Sequence, residues 1–179
     1  FVNNSYDPII HKGEIVPEDL IEEYKCDVSF IGSYETPRYK SLLHLANNGI
    51  KVRVWGNGWG KVLNEHPNLK IQNRPVYNKN YALAVSASKI NLCFLRKANR
   101  DLQTCRSMEI PAIGGFMIHE RNTEICSLFK EDYEAVFFSN DDELFEKVWQ
   151  WLSDCEGRKK IASQGRERVL AGNHSHEDR

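Results

Sequence analysis

Basic residues crowd a loop that the sequence places just before a helix. The stretch 96–106 follows an apolar strand candidate, leads into a helix candidate at 102–110, and carries four basic side chains. Free backbone N–H groups and the helix dipole favour an anion at a helix amino end. The loop therefore suits a diphosphate, with Arg100 and Arg106 as electrostatic partners. The alternative is a solvated basic loop in which Asp101 serves only as the helix cap.

Two carboxylates mark the same predicted helix. Asp101 and Glu109 are eight residues apart, which puts them roughly on one helix face and about 12 Å apart. The apolar positions around Glu109 indicate burial, and a buried carboxylate needs a partner. Neighbouring sugar hydroxyls are good partners, because one carboxylate can accept hydrogen bonds from two of them. The alternative is a salt bridge between Glu109 and Arg106 or another nearby base.

Glycine turns follow two other strand candidates. Gly32 ends the strand candidate 26–31 and lets the backbone approach a ligand closely. Arg38, at the start of the next helix, is placed to reach a phosphate. Gly56 opens a Gly-Asn-Gly turn after the strand candidate 51–55. Neither turn matches G-x-G-x-x-G, so an ordinary nicotinamide-binding domain is disfavoured. In the alternative interpretation the glycines serve only as turn residues and Arg38 is a surface charge.

The elements that must position these loops alternate between strands and helices. The strand candidates are 26–31, 51–55, 69–71, 90–95, 115–118 and 135–138. The helix candidates are 18–24, 37–48, 81–88, 102–110, 123–129, 141–152 and 158–170. This alternation predicts a doubly wound, Rossmann-like α/β fold, in which a parallel sheet carries helices on both faces. Such sheets bind ligands at the carboxyl ends of their strands, beside the point where the strand order reverses.

The composition limits the class of function. The chain has 179 residues, 41% of them hydrophobic, and a formal net charge of −1. This length supports one compact domain, and no apolar run approaches the roughly 20 residues that a membrane span needs. The near-zero charge argues against a nucleic-acid binder. We therefore expect a small molecule or another protein as the partner.

Five widely spaced cysteines without a C-x-x-C pair argue against a disulfide framework or a zinc site. We expect reduced thiols, a cytoplasmic location and no metal ion. Cys105 lies at the predicted helix start, a position that lowers the pKa of a thiol, but no convincing Cys/His/Asp arrangement surrounds it. The chain begins at Phe1 rather than at a methionine, and we interpret it as a piece of a longer protein.

Three motifs, in order, resemble those of the retaining GT-B glycosyltransferases of group 1 (family 4-like). Asp101-x7-Glu109, with Ile110–Gly115 after it, resembles their E-x7-E segment. The loop Gly32–Arg38 resembles their V-G-R-x-x-x-x-K loop, and Val54–Gly58 resembles their V-G-x-G turn. Four segments resemble the spore-maturation-type branch of these enzymes more closely, namely 5–8, 30–33, 55–59 and 106–111.

The resemblance implies that the chain is the carboxy-terminal, donor-binding half of a GT-B enzyme. By carry-over, Glu109 holds the nucleotide ribose and Asp101 approaches the donor sugar, which makes these two the catalytic residues. The backbone of Thr104 and Cys105 binds the diphosphate with help from Arg38. The full predicted donor-binding set is Gly32, Ser33, Arg38, Gly56, Arg74, Pro75, Val76, Arg100, Thr104, Cys105, Arg106 and Glu109, with 74–76 beside the base.

Three residues depart from the family pattern. Asp101 is one methylene shorter than the usual glutamate, and Ser33 stands where an arginine is usual. Pro111 stands where the superfamily often has methionine, and it predicts that the helix bends or ends there. We interpret these departures as variation within the group.

The resemblance further implies an enzyme of the hexosyltransferase type that moves a sugar from a nucleotide-diphospho-sugar to an acceptor with retention of configuration. The acceptor, whether a glycan, a lipid or a small molecule, would be held by an amino-terminal domain absent from this chain. No metal and no other cofactor are expected, no nucleic-acid partner is expected, and this segment does not indicate membrane association.

The predicted organisation is a lead-in at 1–24, a nucleotide-sugar-binding domain at 25–172 and a polar tail at 173–179. The fragment alone is expected to be inactive. Two alternatives stay open at this point. One is the corresponding half of a nucleotide-sugar epimerase, and the other is a non-catalytic interaction domain that keeps the fold.

Overall fold

The computed structural model describes residues 4–96, 102–172 and 175. Strands and helices alternate through these residues, because apolar runs ended by glycine or asparagine turns separate the amphipathic segments. In chain order the elements are a 3₁₀ turn (Glu18–Leu20), α1 (Ile21–Tyr24), β1 (Cys26–Ile31), α2 (Thr36–Asn47), β2 (Val52–Trp55), a second 3₁₀ turn (Gly60–Val62), β3 (Leu69–Ile71), α3 (Asn78–Ala87), β4 (Ser88–Cys93), α4 (Arg106–Ile113), β5 (Met117–Glu120), α5 (Thr123–Leu128), β6 (Val136–Phe138), α6 (Asp141–Ser153) and α7 (Cys155–Ala171).

The six strands form one parallel sheet in the order β3-β2-β1-β4-β5-β6. In the central strand β1, Phe30 is paired with Val54 of β2 on one side and with Leu92 of β4 on the other. The order runs outward in opposite directions from β1 and β4, so the switch point lies between these two strands. The doubly wound, Rossmann-like prediction is confirmed.

Apolar side chains on both faces of the sheet hold the layers together. Phe30 packs on one face with residues of α2 and α6, and Phe137 packs on the other with residues of α3 and α4. Both side chains are fully buried. Because both faces are covered, most strand positions are buried, and the apolar residues there make the strands stand out in the sequence.

The helix after β4 differs from its prediction at both ends. Residues 102–105 are not helical, and α4 begins only at Arg106. The helix does not end at Pro111, because α4 continues to Ile113 and stops at Gly114, whose φ is +92°. A proline removes one helical hydrogen bond, and burial of Pro111 and Ile113 among their neighbours compensates for that loss.

Residues of the predicted lead-in pack against the domain. Tyr6 is buried and forms a bridge with Ser175. Tyr24, also buried, stacks on Trp55 at the end of β2 with ring centroids 6.2 Å apart. The segment therefore lies against the carboxyl edge of β2, although the predicted boundaries at residues 24 and 172 stay predictions.

A charge cluster fixes the corner between β6 and α6. Arg121 Nη1 donates to both carboxylate oxygens of Glu143 at 3.0 and 3.1 Å, and the backbone N–H of Ser139 donates to the same carboxylate at 2.7 Å. Partial burial alone would raise the pKa of Glu143, but the Ser139 and Arg121 donors outweigh burial and lower it.

We expect Glu143→Gln to lower the free energy of unfolding by about 1 kcal/mol at pH 7, the scale of one charge-assisted hydrogen bond. Because the folded pKa of Glu143 lies below its unfolded value of about 4.3, this stabilisation is complete above that pH. It is lost as the pH falls through the folded pKa. Urea unfolding of both proteins at pH 7 and pH 3 measures the difference. An equal gap at both pH values would contradict the prediction, and Glu146→Gln, at an exposed position on the same helix, is the control.

Candidate functional site

A cleft of about 360 Å³ opens at the carboxyl ends of β1 and β2, next to the amino end of α4. Eight of the predicted site residues line it, namely Gly32, Ser33, Gly56, Pro75, Val76, Cys105, Arg106 and Glu109. Six further residues line it that the sequence did not single out, namely His11, Ile31, Asn57, Tyr77, Asn78 and Tyr81. The cleft thus lies at the switch-point side of the sheet, where a doubly wound fold binds ligands.

Two glycines let the loops after β1 and β2 meet at this cleft. The Gly32 N–H donates to Trp55 O at 2.8 Å, and the Gly56 N–H donates to Arg74 O at 2.9 Å. A Cβ on Gly56 would lie 2.0 Å from Gly32 O, and the φ of Gly56 is +148°. Gly56 is therefore required for the close approach of two loop backbones, and it is more than a turn residue.

Arg106, the first residue of α4, supplies positive charge to the cleft. Its Nε is buried and has no hydrogen-bond partner among the described residues, and the same is true of Arg38 Nε. Burial lowers the pKa of Arg38, Glu35 opposes this, and the nearby Arg106 guanidinium lowers it further. Two close guanidinium groups with unpaired buried N–H groups leave a place that an anion would stabilise.

Arg38 itself does not reach the cleft wall. It is 4% exposed, and its guanidinium donates to Ser33 O at 3.1 Å and to Leu95 O at 3.2 Å. It also forms an ion pair with Glu35 at 3.4 Å. These contacts connect the loop after β1 to the residues that follow β4. Arg38 is therefore a buried side chain that links two loops, contrary to the alternative of a surface charge.

Two other predicted residues also point away from the cleft. The Arg74 side chain forms an ion pair with Glu23. Its backbone carbonyl supports the cleft indirectly, by accepting the hydrogen bond from the Gly56 N–H. The Thr104 N–H, expected to meet a phosphate, donates to Ser107 Oγ at 3.1 Å. For both residues the competing partner is distant in sequence or on the next helix, so motif spacing did not identify it.

The predicted geometry of the carboxylate pair is wrong. The shared helix face assumed a continuous helix from Asp101 to Glu109, but the helix begins at Arg106. Asp101 and Arg100 lie outside the described residues. The end of α4 nearest the cleft therefore carries two of the predicted side chains, Arg106 and Glu109.

Glu109 is the acidic centre of the cleft, and two aromatic residues flank it. Its Oε1 lies 3.7 Å from His11 Nε2, so its ionic partner among the described residues is His11 rather than Arg106. The Tyr81 hydroxyl is buried without a hydrogen bond of normal geometry to any described residue. Burial, and then the Glu109 carboxylate, raise the pKa of Tyr81 well above its usual range.

His11 and Tyr81 were missed because nothing local marks them. His11 lies in a segment that the sequence describes only as a lead-in, about 100 residues before Glu109 in the chain. In the sequence, Tyr81 is an ordinary residue of a helix candidate, and the packing of α3 beside α4 brings it to the cleft. The predicted lowering of the Cys105 thiol pKa is also wrong, because burial and the Glu109 carboxylate raise it.

A buried polar network supports the start of α4 from below. Ser107 and His119 are both fully buried, with Ser107 Oγ 2.8 Å from His119 Nε2. His119 Nδ1 donates to Glu120 O at 2.7 Å, so a neutral imidazole accepts from the serine hydroxyl at Nε2. The network thereby ties the first turn of α4 to β5.

Cys93 at the end of β4 completes this network. Its Sγ lies 3.6 Å from Thr104 Oγ1. Burial alone would raise the pKa of Cys93, but His119, Arg106 and Thr104 together lower it to about 7. Burial would likewise lower the pKa of His119, and Cys93 outweighs it and raises that pKa. Each of these two groups therefore favours the charged form of the other.

Within 4–96, 102–172 and 175, no three His, Cys, Asp or Glu side chains are grouped so that they could hold a metal ion. Over the same residues, no helix combines the length and apolarity needed to cross a bilayer.

The strand order, the switch-point cleft and the cation and carboxylate on α4 define a Rossmann-like α/β domain of the kind found in the carboxy-terminal half of GT-B glycosyltransferases. Residues 38–179 match the family model described as "Glycosyl transferase-like". The chain belongs to this family.

Solved structures share the fold at low sequence identity. The C-terminal domain of a glycosyl transferase group 1 family protein (LpcC) from Francisella tularensis is 12% identical with a TM-score of 0.72, and the match covers 93% of this chain and 97% of that domain. A glycosyltransferase from Rickettsia africae is 11% identical with a TM-score of 0.75, and the match covers 99% of this chain and 53% of that one.

The Anabaena protein Alr3699/HepE, solved in complex with UDP and glucose, is 11% identical with a TM-score of 0.74, and the match covers 95% of this chain and 52% of that one. This chain thus spans about half the length of the Rickettsia and Anabaena proteins. No curated protein matches it.

Proposed function

We propose that the cleft binds a nucleotide-diphospho-sugar and that the chain is the donor-binding half of a glycosyltransferase. The observation that carries this proposal is that one cleft holds both Arg106, whose buried Nε has no hydrogen-bond partner among the described residues, and the partly buried carboxylate of Glu109. A donor of this class carries both complements, a diphosphate for the cation and sugar hydroxyls for the carboxylate. The Alr3699/HepE complexes with UDP and glucose and with UDP-glucose support the proposal by likeness of fold.

The lining residues suggest how such a donor would lie. The diphosphate would face Arg106 and the loop at Gly32, the ribose would face Glu109, and the base would lie beside Pro75 and Val76. Asp101 keeps its proposed contact with the donor sugar on the family resemblance alone.

In the whole enzyme the leaving group would be a nucleoside diphosphate, whose negative charge grows as the glycosidic bond breaks. The amino end of α4 and Arg106 would stabilise that charge, without need of a metal ion. We further propose a retaining transfer to a glycan, lipid or small-molecule acceptor bound by another domain, a cytoplasmic location, and membership of the spore-maturation-type branch on the motifs given above.

Ligand-observed NMR and calorimetric titration of the chain with UDP, GDP and ADP test this function. We expect selective binding of one nucleotide, and we expect Glu109→Gln to weaken it about tenfold, the effect of losing roughly 1.4 kcal/mol. An amide in place of the carboxylate accepts less strongly and adds donors that repel hydroxyl protons.

The matched control is Glu156→Gln, the same chemical change on the first turn of α7, outside the cleft. Its nucleotide affinity is expected to equal that of the wild type. Binding of none of the three nucleotides, or equal binding of all three that Glu109→Gln leaves unchanged, would contradict the donor site and favour a non-catalytic interaction domain.

A further inference from the structure

The turn that carries His11 fixes the tautomer and direction of its imidazole. The Asp7 carboxylate accepts from the backbone N–H of Ile9 at 2.8 Å and of Ile10 at 3.3 Å. The backbone N–H of His11 donates to the backbone carbonyl of Asp7 at 2.7 Å, and the backbone N–H of Asp7 donates to the ring nitrogen Nδ1 of His11 at 2.9 Å. Because Nδ1 accepts a hydrogen bond, the proton of a neutral ring is on Nε2.

The protonated edge of this ring faces the cleft. His11 Nε2 lies 3.7 Å from Glu109 Oε1, with the two side chains 13% and 18% exposed. The ring also packs edge-on against Tyr81, with centroids 5.8 Å apart. The imidazole is therefore held from two sides, by the Asp7 backbone and by the Tyr81 ring, and its Nε2 lies beside the carboxylate.

The length of this contact matters for a ligand. At 3.7 Å the N–H of the neutral ring is beyond hydrogen-bond range of the carboxylate, and it presents only the positive end of a dipole to Oε1. The imidazole can thus orient the carboxylate without occupying its lone pairs, and these stay available to two hydroxyl donors.

We propose that His11 is a positioning residue that holds the Glu109 carboxylate towards the ribose hydroxyls, so that a segment some 100 residues away in sequence takes part in recognising a ribonucleotide rather than a deoxyribonucleotide. The inference rests on the proposed function, since it assigns His11 to the same donor cleft. A freely rotating carboxylate would have to be ordered by the ligand itself, at the expense of affinity.

The test compares His11→Phe and His11→Gln with the wild type. His11→Phe keeps an aromatic ring for packing on Tyr81 but has no N–H, whereas His11→Gln supplies an amide N–H in place of the imidazole N–H. Each protein is titrated with UDP and 2′-deoxy-UDP, GDP and 2′-deoxy-GDP, ADP and 2′-deoxy-ADP, and with inorganic diphosphate. Urea unfolding of each variant reports stability separately.

We expect His11→Phe to weaken binding of the selected ribonucleotide about fivefold, the scale of one modest polar contact. The affinity for its 2′-deoxy counterpart and for diphosphate should change little, and His11→Gln should restore most of the loss. In a Glu109→Gln background, His11→Phe should add nothing, because the partner through which it acts is gone.

Equal weakening of ribonucleotide, deoxyribonucleotide and diphosphate by His11→Phe would show a general structural effect and overturn the inference. Ribonucleotide binding that Glu109→Gln reduces and His11→Phe leaves intact would overturn the inference alone and leave the donor site standing. If the wild type binds none of the ribonucleotides, the proposed function fails, and the inference fails with it.

Discussion

Replacing Gly56 with alanine is expected to lower the free energy of unfolding by about 3–5 kcal/mol, in the range reserved for severe backbone conflict. The added Cβ would lie 2.0 Å from Gly32 O and 2.6 Å from Gly32 C, both backbone atoms that cannot move as a side-chain tip does. The φ of +148° adds strain of its own. Urea unfolding followed by far-UV circular dichroism measures the loss, and any remaining folded protein should bind no nucleotide, because the loops at the cleft are pushed apart.

Gly49→Ala is the matched control. Gly49 also has a positive φ, +84°, but a Cβ there would meet no atom within 4 Å. Only conformational strain is expected, about 1 kcal/mol. If both substitutions destabilised the protein equally, the loss at Gly56 would come from its backbone angle, and the loop contact would have no special weight.

Replacing Arg106 with methionine is expected to weaken nucleoside diphosphate binding about 100-fold, since hydrogen bonds to a charged group contribute about 1.5–3 kcal/mol and the cleft loses the positive charge of Arg106. The unliganded protein should keep its stability or gain a few tenths of a kcal/mol, because the substitution removes a buried N–H that has no partner in 4–96, 102–172 and 175. The two measurements are calorimetric titration with the selected nucleotide and urea unfolding.

Arg168→Met, on α7 and away from the cleft, is the control for loss of one positive charge. Its nucleotide affinity should match that of the wild type. A loss of stability with Arg106→Met as large as its loss in binding energy would contradict the assignment, because Arg106 would then act as a structural side chain.

The fold could be predicted because most strand positions are buried. Runs such as Cys26–Ile31 are rich in apolar residues and end at glycine, so their position and type follow from local sequence. Element ends were less predictable. At the start of α4, the Thr104 N–H donates to Ser107 Oγ, which also contacts the buried His119. His119 lies on β5, so the local sequence around α4 does not reveal this contact.

The cleft was predicted in outline because parallel strands bring their carboxyl ends to one edge. Gly32, Gly56 and Glu109 all lie where this rule places them. What the rule cannot provide is the direction of a long side chain. Arg38 turns inward because two backbone carbonyls accept from it, and the contribution of His11 depends on a segment whose path across the domain has no local pattern.

The network beneath α4 affects the entropy of binding. Since Ser107 is fixed between the Thr104 N–H and the fully buried His119, the backbone that presents Arg106 is already ordered by its attachment to β5. Little conformational freedom remains there for an arriving nucleotide to remove. Favourable contacts at this end of the cleft should therefore appear almost undiminished in the affinity, and recognition there should proceed by fit to a preorganised surface.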